Sequence, residues 1–194
     1  MSLTVEKCLQ GWTNSLRQMN ARADVVFFGD SLIYNGDFAS VLPDKVVCNL
    51  GLRGDTLQGM NKRVEQINLL NPRIVYLMAG INDVASKSFV EFREQYESLI
   101  RVLKAQNPTT ALVVFSMLPV NDVEFKISCN NEQIARCNEE IVSLCMKHGV
   151  SYIDLFVLYE QCGQLPNEMT LDGIHLIQSA YHLWYNALTK WQQK

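Results

Sequence analysis

Ser31, Asp172 and His175 are three side chains whose types could together carry out acyl transfer. Ser31 stands in Gly29-Asp30-Ser31-Leu32, and Asp172 precedes His175 by three residues in Asp172-Gly173-Ile174-His175. Serine hydrolysis needs a nucleophilic hydroxyl, a base to take its proton, an acid to orient the base and donors for the oxyanion. Ser31 can supply the hydroxyl. The short separation lets the Asp172 carboxylate bond one imidazole nitrogen of His175 while the other nitrogen faces Ser31. Two further clusters offer donors, Asn49-Leu50-Gly51-Leu52-Arg53-Gly54-Asp55-Thr56 and Gly80-Ile81-Asn82-Asp83. Gly54 brings a backbone N–H that no side chain obstructs, and Asn82 brings a side-chain amide.

Each of these features also has an ordinary explanation. Gly-Asp-Ser is a favourable turn, as is Asn82-Asp83. Asp172 is a preferred helix N-cap, and Gly54 suits a turn. The chemical reading rests on their joint occurrence, since short motifs are weak one at a time. Arg53, beside Gly54, either contacts substrate or pairs with an acid. Asp30, Asp55 and Asp83 are expected to bond loop backbone. His148 precedes Gly149 at a helix end, where a cation meets the helix dipole favourably. His182 reads as a surface or packing residue. The acids and histidines show no repeated metal-ligand spacing, so no metal site is expected.

The surrounding elements must deliver these residues. Residues 24–32 read DVVFFGDSL. The run 25–28 is apolar, β-branched and aromatic, short enough for a strand buried on both faces, and Gly29 ends it. Runs at 45–50, 73–79, 111–118 and 150–154 predict four more strands. Val5, Cys8, Leu9, Trp12, Leu16 and Met19 predict an N-terminal helix packed on the sheet. Leu57, Met60, Val64 and Ile67 give one helix face, terminated by Asn71-Pro72. Ser88 and Glu91 form a capping-box pattern at the head of a long helix that stops near Asn107-Pro108. Ile134, Cys137, Ile141, Leu144 and Cys145 mark another, closed by Gly149. Tyr181, Trp184, Tyr185, Leu188 and Trp191 define a C-terminal helix. Residues 33–43 are expected to be irregular, and 119–128 to form a loop long enough to border a site. Alternating strands and helices imply parallel strands with right-handed crossovers, hence a three-layer α/β/α sandwich. Parallel strands bring the first three clusters to one carboxyl edge, where open α/β sheets bind ligands.

With 194 residues, one domain over 1–194 suffices. Hydrophobic residues at 48% and charged ones at 19% fit a globular composition and not a disordered one. The net charge of −3 includes no basic run to follow a phosphate backbone, which disfavours nucleic acid as a partner. Six widely spaced cysteines (Cys8, Cys48, Cys129, Cys137, Cys145, Cys162) read as free thiols and favour a reducing compartment. No apolar segment reaches transmembrane length. Cytoplasmic location is the default, with secretion or a periplasmic location open if a signal peptide has been removed.

The four blocks, in this order, resemble those of the SGNH hydrolases, the GDSL esterase and lipase family, over residues 25 to about 184. The resemblance implies a flavodoxin-like sheet of about five parallel strands. It implies Ser31 as nucleophile, His175 as base and Asp172 as its orienter, with Gly54, Asn82 and the Ser31 N–H as oxyanion donors and no cofactor. Ser31 does not stand in a Gly-x-Ser-x-Gly elbow, which disfavours the α/β-hydrolase fold. Ala180 departs from the glycine that family members often carry before the tyrosine. The expected activity is hydrolysis of a small-molecule carboxylic ester. The absence of a long lid insertion points to a short acyl group, such as acetyl on a carbohydrate. A thioesterase or lysophospholipase is the alternative within the family, and an inactive flavodoxin-like binding module the alternative from another class.

Overall fold

The structure is a computed structural model that describes the backbone of residues 3–193 and the side chains of residues 10–193. At its centre lies β1 (Val25–Gly29), buried along its whole length between β2 (Val47–Gly51) and β3 (Ile74–Met78). With β4 (Ala111–Phe115) and β5 (Ser151–Ile153) these form a parallel five-stranded sheet of order β2-β1-β3-β4-β5. That is the flavodoxin-like order, with its switch point between β1 and β3. Strand side chains alternate between faces. Val26 and Phe28 accordingly join one core and Val25 and Phe27 the other.

The first core is covered by α3 (Leu57–Lys62), α4 (Glu65–Leu70), α6 (Phe89–Gln106) and α7 (Asn131–His148). The second is covered by α2 (Ser31–Asn35), α8 (Phe156–Tyr159) and α9 (Tyr181–Gln192). Here Phe27 stacks on Phe38 with centroids 3.9 Å apart, and Trp184 meets Phe115 edge-on at 5.1 Å. Such pairs add to the area they bury.

Several expectations change in detail. The stretch after Ser31 is not irregular throughout: α2 forms because Asp30 caps it, its Oδ1 accepting the Leu32 N–H at 2.9 Å. The helix expected across Leu57 to Ile67 is two helices, since the backbone leaves helical geometry at Arg63 (φ −119°). The capping box at Ser88 and Glu91 is present, and Gly149 closes α7 in the left-handed conformation. A second box, Asn130 with Gln133, heads α7. The N-terminal helix, α1 (Leu3–Met19), packs on α4, and of the expected stripe Leu16 faces inward while two members do not. Trp12 and Met19 are 50% and 75% exposed, whereas Thr13 and Leu16 turn inward and Thr13 Oγ1 accepts a bond from Gln66. Val5, Cys8 and Leu9 lie outside the residues whose side chains are described. Cys48, Cys129, Cys137, Cys145 and Cys162 are free thiols. No described helix is long and apolar enough to cross a membrane.

Candidate active site

In the sheet register Gly29 is level with Gly51 on one side and with Met78 on the other. Ser31, Gly54 and Asn82 therefore lie a few residues past the same edge. Gly29 permits the packing beneath Ser31: a Cβ there would lie 2.3 Å from the Met78 carbonyl oxygen and 2.5 Å from Ile33 Cγ1. Ser31 Oγ is 2.8 Å from His175 Nε2, and His175 Nδ1 is 2.6 Å from Asp172 Oδ2. The geometry fits Nδ1–H donating to Asp172 while Nε2 accepts the serine hydroxyl proton.

Asp172 also shapes its own loop, its Oδ1 accepting the N–H groups of His175 at 2.8 Å and Ile174 at 3.0 Å. It thus caps a turn and not a helix, because helical geometry resumes only at Gln178–Ala180. Partial burial works to raise the Asp172 carboxyl, but the bonds from the His175 N–H, the His175 ring and the Ile174 N–H outweigh it and hold its pKa below the ordinary value. Thr170, two residues upstream, supports the turn: its Oγ1 accepts the Gly173 N–H at 2.9 Å and donates to the His175 carbonyl at 2.8 Å. The 119–128 loop does not line the pocket. It holds the histidine loop from behind, with the Asn121 N–H on the Gly173 carbonyl at 2.8 Å.

Asn82 lies in a short helix, α5 (Ile81–Val84), and donates from Nδ2 to the Asp55 carbonyl at 2.8 Å. An amide has two N–H bonds, so one fixes the group and the other is left for the pocket that Asn82 lines. Gly54 adopts φ +70°, a conformation that disfavours any side chain, and a Cβ there would point into open space. The two loops are bonded to each other. Asp83 Oδ2 accepts the Leu57 N–H at 3.0 Å, and Asp55 accepts from Thr56 N–H and from Arg63 Nε at 3.0 and 2.6 Å. Arg63 also donates to the carbonyls of Leu50 and Gly29 at 2.8 and 2.9 Å, tying α3 to the ends of β2 and β1.

Ser31, Gly54, Asn82, Asp172 and His175 line one open cavity of about 660 Å³ together with Arg53. Sequence reasoning missed the remaining lining residues: Asn35 and Gln178, which are polar, and Leu171, Leu176 and Ile177, which form an apolar edge. Most are neighbours of the motifs, and proximity was the available signal. His148 pairs with Glu97 of α6 at 2.8 Å, and His182 Nδ1 lies 2.7 Å from the Ser179 carbonyl; neither lines the cavity. Among the described residues no three His, Cys, Asp or Glu side chains are grouped to hold a metal ion.

A 2-1-3-4-5 parallel sheet with a serine, a histidine and an aspartate linked at its carboxyl edge has the architecture of a flavodoxin-like hydrolase. The chain belongs to the GDSL-like lipase/acylhydrolase family, whose profile matches residues 27–183. It is 23% identical over 168 residues to an N-acylneuraminate cytidylyltransferase of Streptococcus agalactiae, a match that covers 86% of this chain. The chain spans 38% of the length of that curated relative. Among solved structures, it is similar to a Streptococcus pneumonia protein provisionally named as a platelet activating factor. The TM-score is 0.81 and the identity 23%, covering 98% of this chain and 99% of the other. An acetyl xylan esterase matches with a TM-score of 0.71 and 20% identity over 86% of this chain and 98% of its own. These two likenesses establish the fold, and the profile match establishes the family.

Proposed function

We propose that this chain is a serine esterase that removes small acyl groups, acetyl above all, from a carbohydrate carrier through an acyl-serine intermediate. The observation that carries the reading is the continuous path from Ser31 Oγ through the His175 ring to Asp172, at 2.8 and 2.6 Å. Ser31 Oγ attacks the ester carbonyl carbon as its proton passes to His175 Nε2. The oxyanion that forms accepts bonds from the Ser31 and Gly54 N–H groups and the Asn82 amide. The carbon–oxygen bond to the alcohol then breaks, and His175 returns the proton to the departing oxygen. A water molecule gives a proton to His175 as its oxygen attacks the acyl carbon; the bond from that carbon to Ser31 Oγ then breaks, the acid leaves and His175 returns the proton to Ser31.

A small acyl group suits the short apolar edge of Leu171, Leu176 and Ile177 and the open form of the cavity among the described residues. The acetyl xylan esterase among the structural neighbours and the N-acylneuraminate in the name of the curated relative are in keeping with an acetylated sugar. The test is hydrolysis of p-nitrophenyl esters of increasing acyl length, alongside labelling by a fluorophosphonate. Ser31→Ala is expected to abolish both turnover and labelling while retaining the wild-type circular dichroism spectrum. Residual turnover or labelling at another residue would remove Ser31 from its role. A rate maximum at long acyl chains would move the reading to a lysophospholipase.

A further inference from the structure

Two arginines follow β2, and they are engaged very differently. The guanidinium of Arg63 is buried and bonded to Asp55 and to the Leu50 and Gly29 carbonyls. Arg53 lies exposed at the cavity mouth, where Nη2 donates to Asn35 Oδ1 at 3.0 Å and its guanidinium carbon lies 4.8 Å from the centroid of the Tyr34 ring. Among the described residues no carboxylate is within ion-pair distance of it. Of the alternatives open in the sequence, pairing with an acid is therefore not what Arg53 does in this structure.

The group is also held in place. Asn35, which accepts from Arg53 through its side chain, accepts the Gln178 amide through its backbone carbonyl at 3.0 Å. That bond links the Arg53 support to the turn just after His175. The carboxylate of the cavity, Asp172, is taken up by the His175 ring and two backbone N–H groups. A planar guanidinium carries five N–H donors in a fork that matches a carboxylate or phosphate. With one contact to Asn35 and its face on Tyr34, the rest of the Arg53 fork is left for a ligand.

We propose that Arg53 binds an anion on the substrate, so that the preferred ester carries a carboxylate or a phosphate on its alcohol part. This rests on the reading of the site as a serine esterase for acetyl groups: acetyl has no charge, so the anion lies on the carrier. Exposure moderates the gain, since water and salt compete for such a pair. A bidentate geometry restores part of it, and a preference of about tenfold is expected.

The experiment compares kcat/KM for three acetyl esters, on a neutral sugar, a sugar carboxylate and a sugar phosphate, with p-nitrophenyl acetate as the uncharged reference. In the wild type at least one charged ester should exceed the neutral sugar ester about tenfold, mainly through KM, and the ratio should fall as salt is added. In Arg53→Gln the ratio should approach one. Arg53→Lys should recover more of it for phosphate than for carboxylate, because lysine is a point charge and not a fork. The two charged arms identify which anion is read. Equal rates on charged and neutral esters in the wild type would overturn the inference and leave the esterase reading standing. So would a charge preference that survives Arg53→Gln. Failure to hydrolyse any ester, p-nitrophenyl acetate included, would overturn both.

Discussion

Asn82 has one amide N–H on the Asp55 carbonyl and the other available to the cavity, which makes its expected contribution specific. A donor aimed at a developing oxyanion acts on the transition state more than on the bound ester. Asn82→Ala should lower kcat by about 10²-fold to 10³-fold with little change in KM, measured by steady-state kinetics. A variant that loses thermal stability and keeps its kcat would show that Asn82 only closes the turn after β3. Asp172, held below the ordinary carboxylate range, should stay charged across the acidic pH at which imidazoles take up a proton. In Asp30→Asn, which removes the other carboxyl that titrates beside the site, the acid limb of log kcat/KM against pH should thus follow a single proton, and a two-proton slope there would mean that Asp172 titrates as well. That Ser31, Asp172, His175, Gly54 and Asn82 would meet in one place was legible because each sits in a short polar block next to a predicted strand or in the last loop. Thr170 and Arg63 were not, because they act on backbone carbonyls, and Arg63 reaches Gly29, 34 residues away in the chain.

Among elements, the loops that matter are those pinned to the sheet by side chains. Arg63 does this for α3, and it explains why the helical face running from Leu57 to Ile67 breaks in two. The apolar spacing was visible, but a single basic residue inside it gives no sign that its side chain must turn down to the strand ends. The inward stripe of α1 was legible only in part for a related reason. Periodicity marks a stripe, and the stripe that packs on α4 uses Thr13 and Leu16 while Trp12 and Met19 face outward. The capping box at Ser88 was legible because both of its partners are local. Removing one member of a buried ion pair leaves the other uncompensated. Arg63→Met should therefore cost about 3–5 kcal/mol of stability in chemical denaturation, because Asp55 stays buried and two carbonyls lose their donor. A loss below about 1 kcal/mol, as an exposed pair would give, would show that Arg63 does not hold the strand ends together.

For the whole molecule, alternating strands and helices sufficed for the layers, whereas strand order came from the family resemblance, since alternation alone leaves it open. What the sequence did not show is the charge balance enclosed beneath the site. Asp30, Asp55 and Asp83 are all buried, and among the described residues Arg63 pairs with Asp55 at 2.6 Å and Lys87 with Asp83 at 3.7 Å. Asp30 has the Leu32 N–H on one oxygen and no partner among the described residues on the other. Burial pushes its carboxyl up to about 7; the Leu32 bond and the nearby His175 work against this, and the charges of Asp55 and Asp83 add to it. The sign of the effect on stability follows from proton uptake. Below the unfolded value near 4 both states hold the proton and Asp30 adds no pH dependence. Between there and about 7 the folded protein keeps a proton that the unfolded chain releases, so stability falls as pH rises, by about 4 kcal/mol in total for this group. Asp30→Asn keeps the oxygen that accepts from Leu32 and removes the titration. It places an amide where the second oxygen has no partner, a cost that does not depend on pH. The difference in melting temperature, variant minus wild type, should therefore rise between pH 4 and pH 7, by on the order of ten degrees. Parallel melting curves across that range would mean that Asp30 is already ionised in the folded protein, with a counter-charge that reaches its second oxygen.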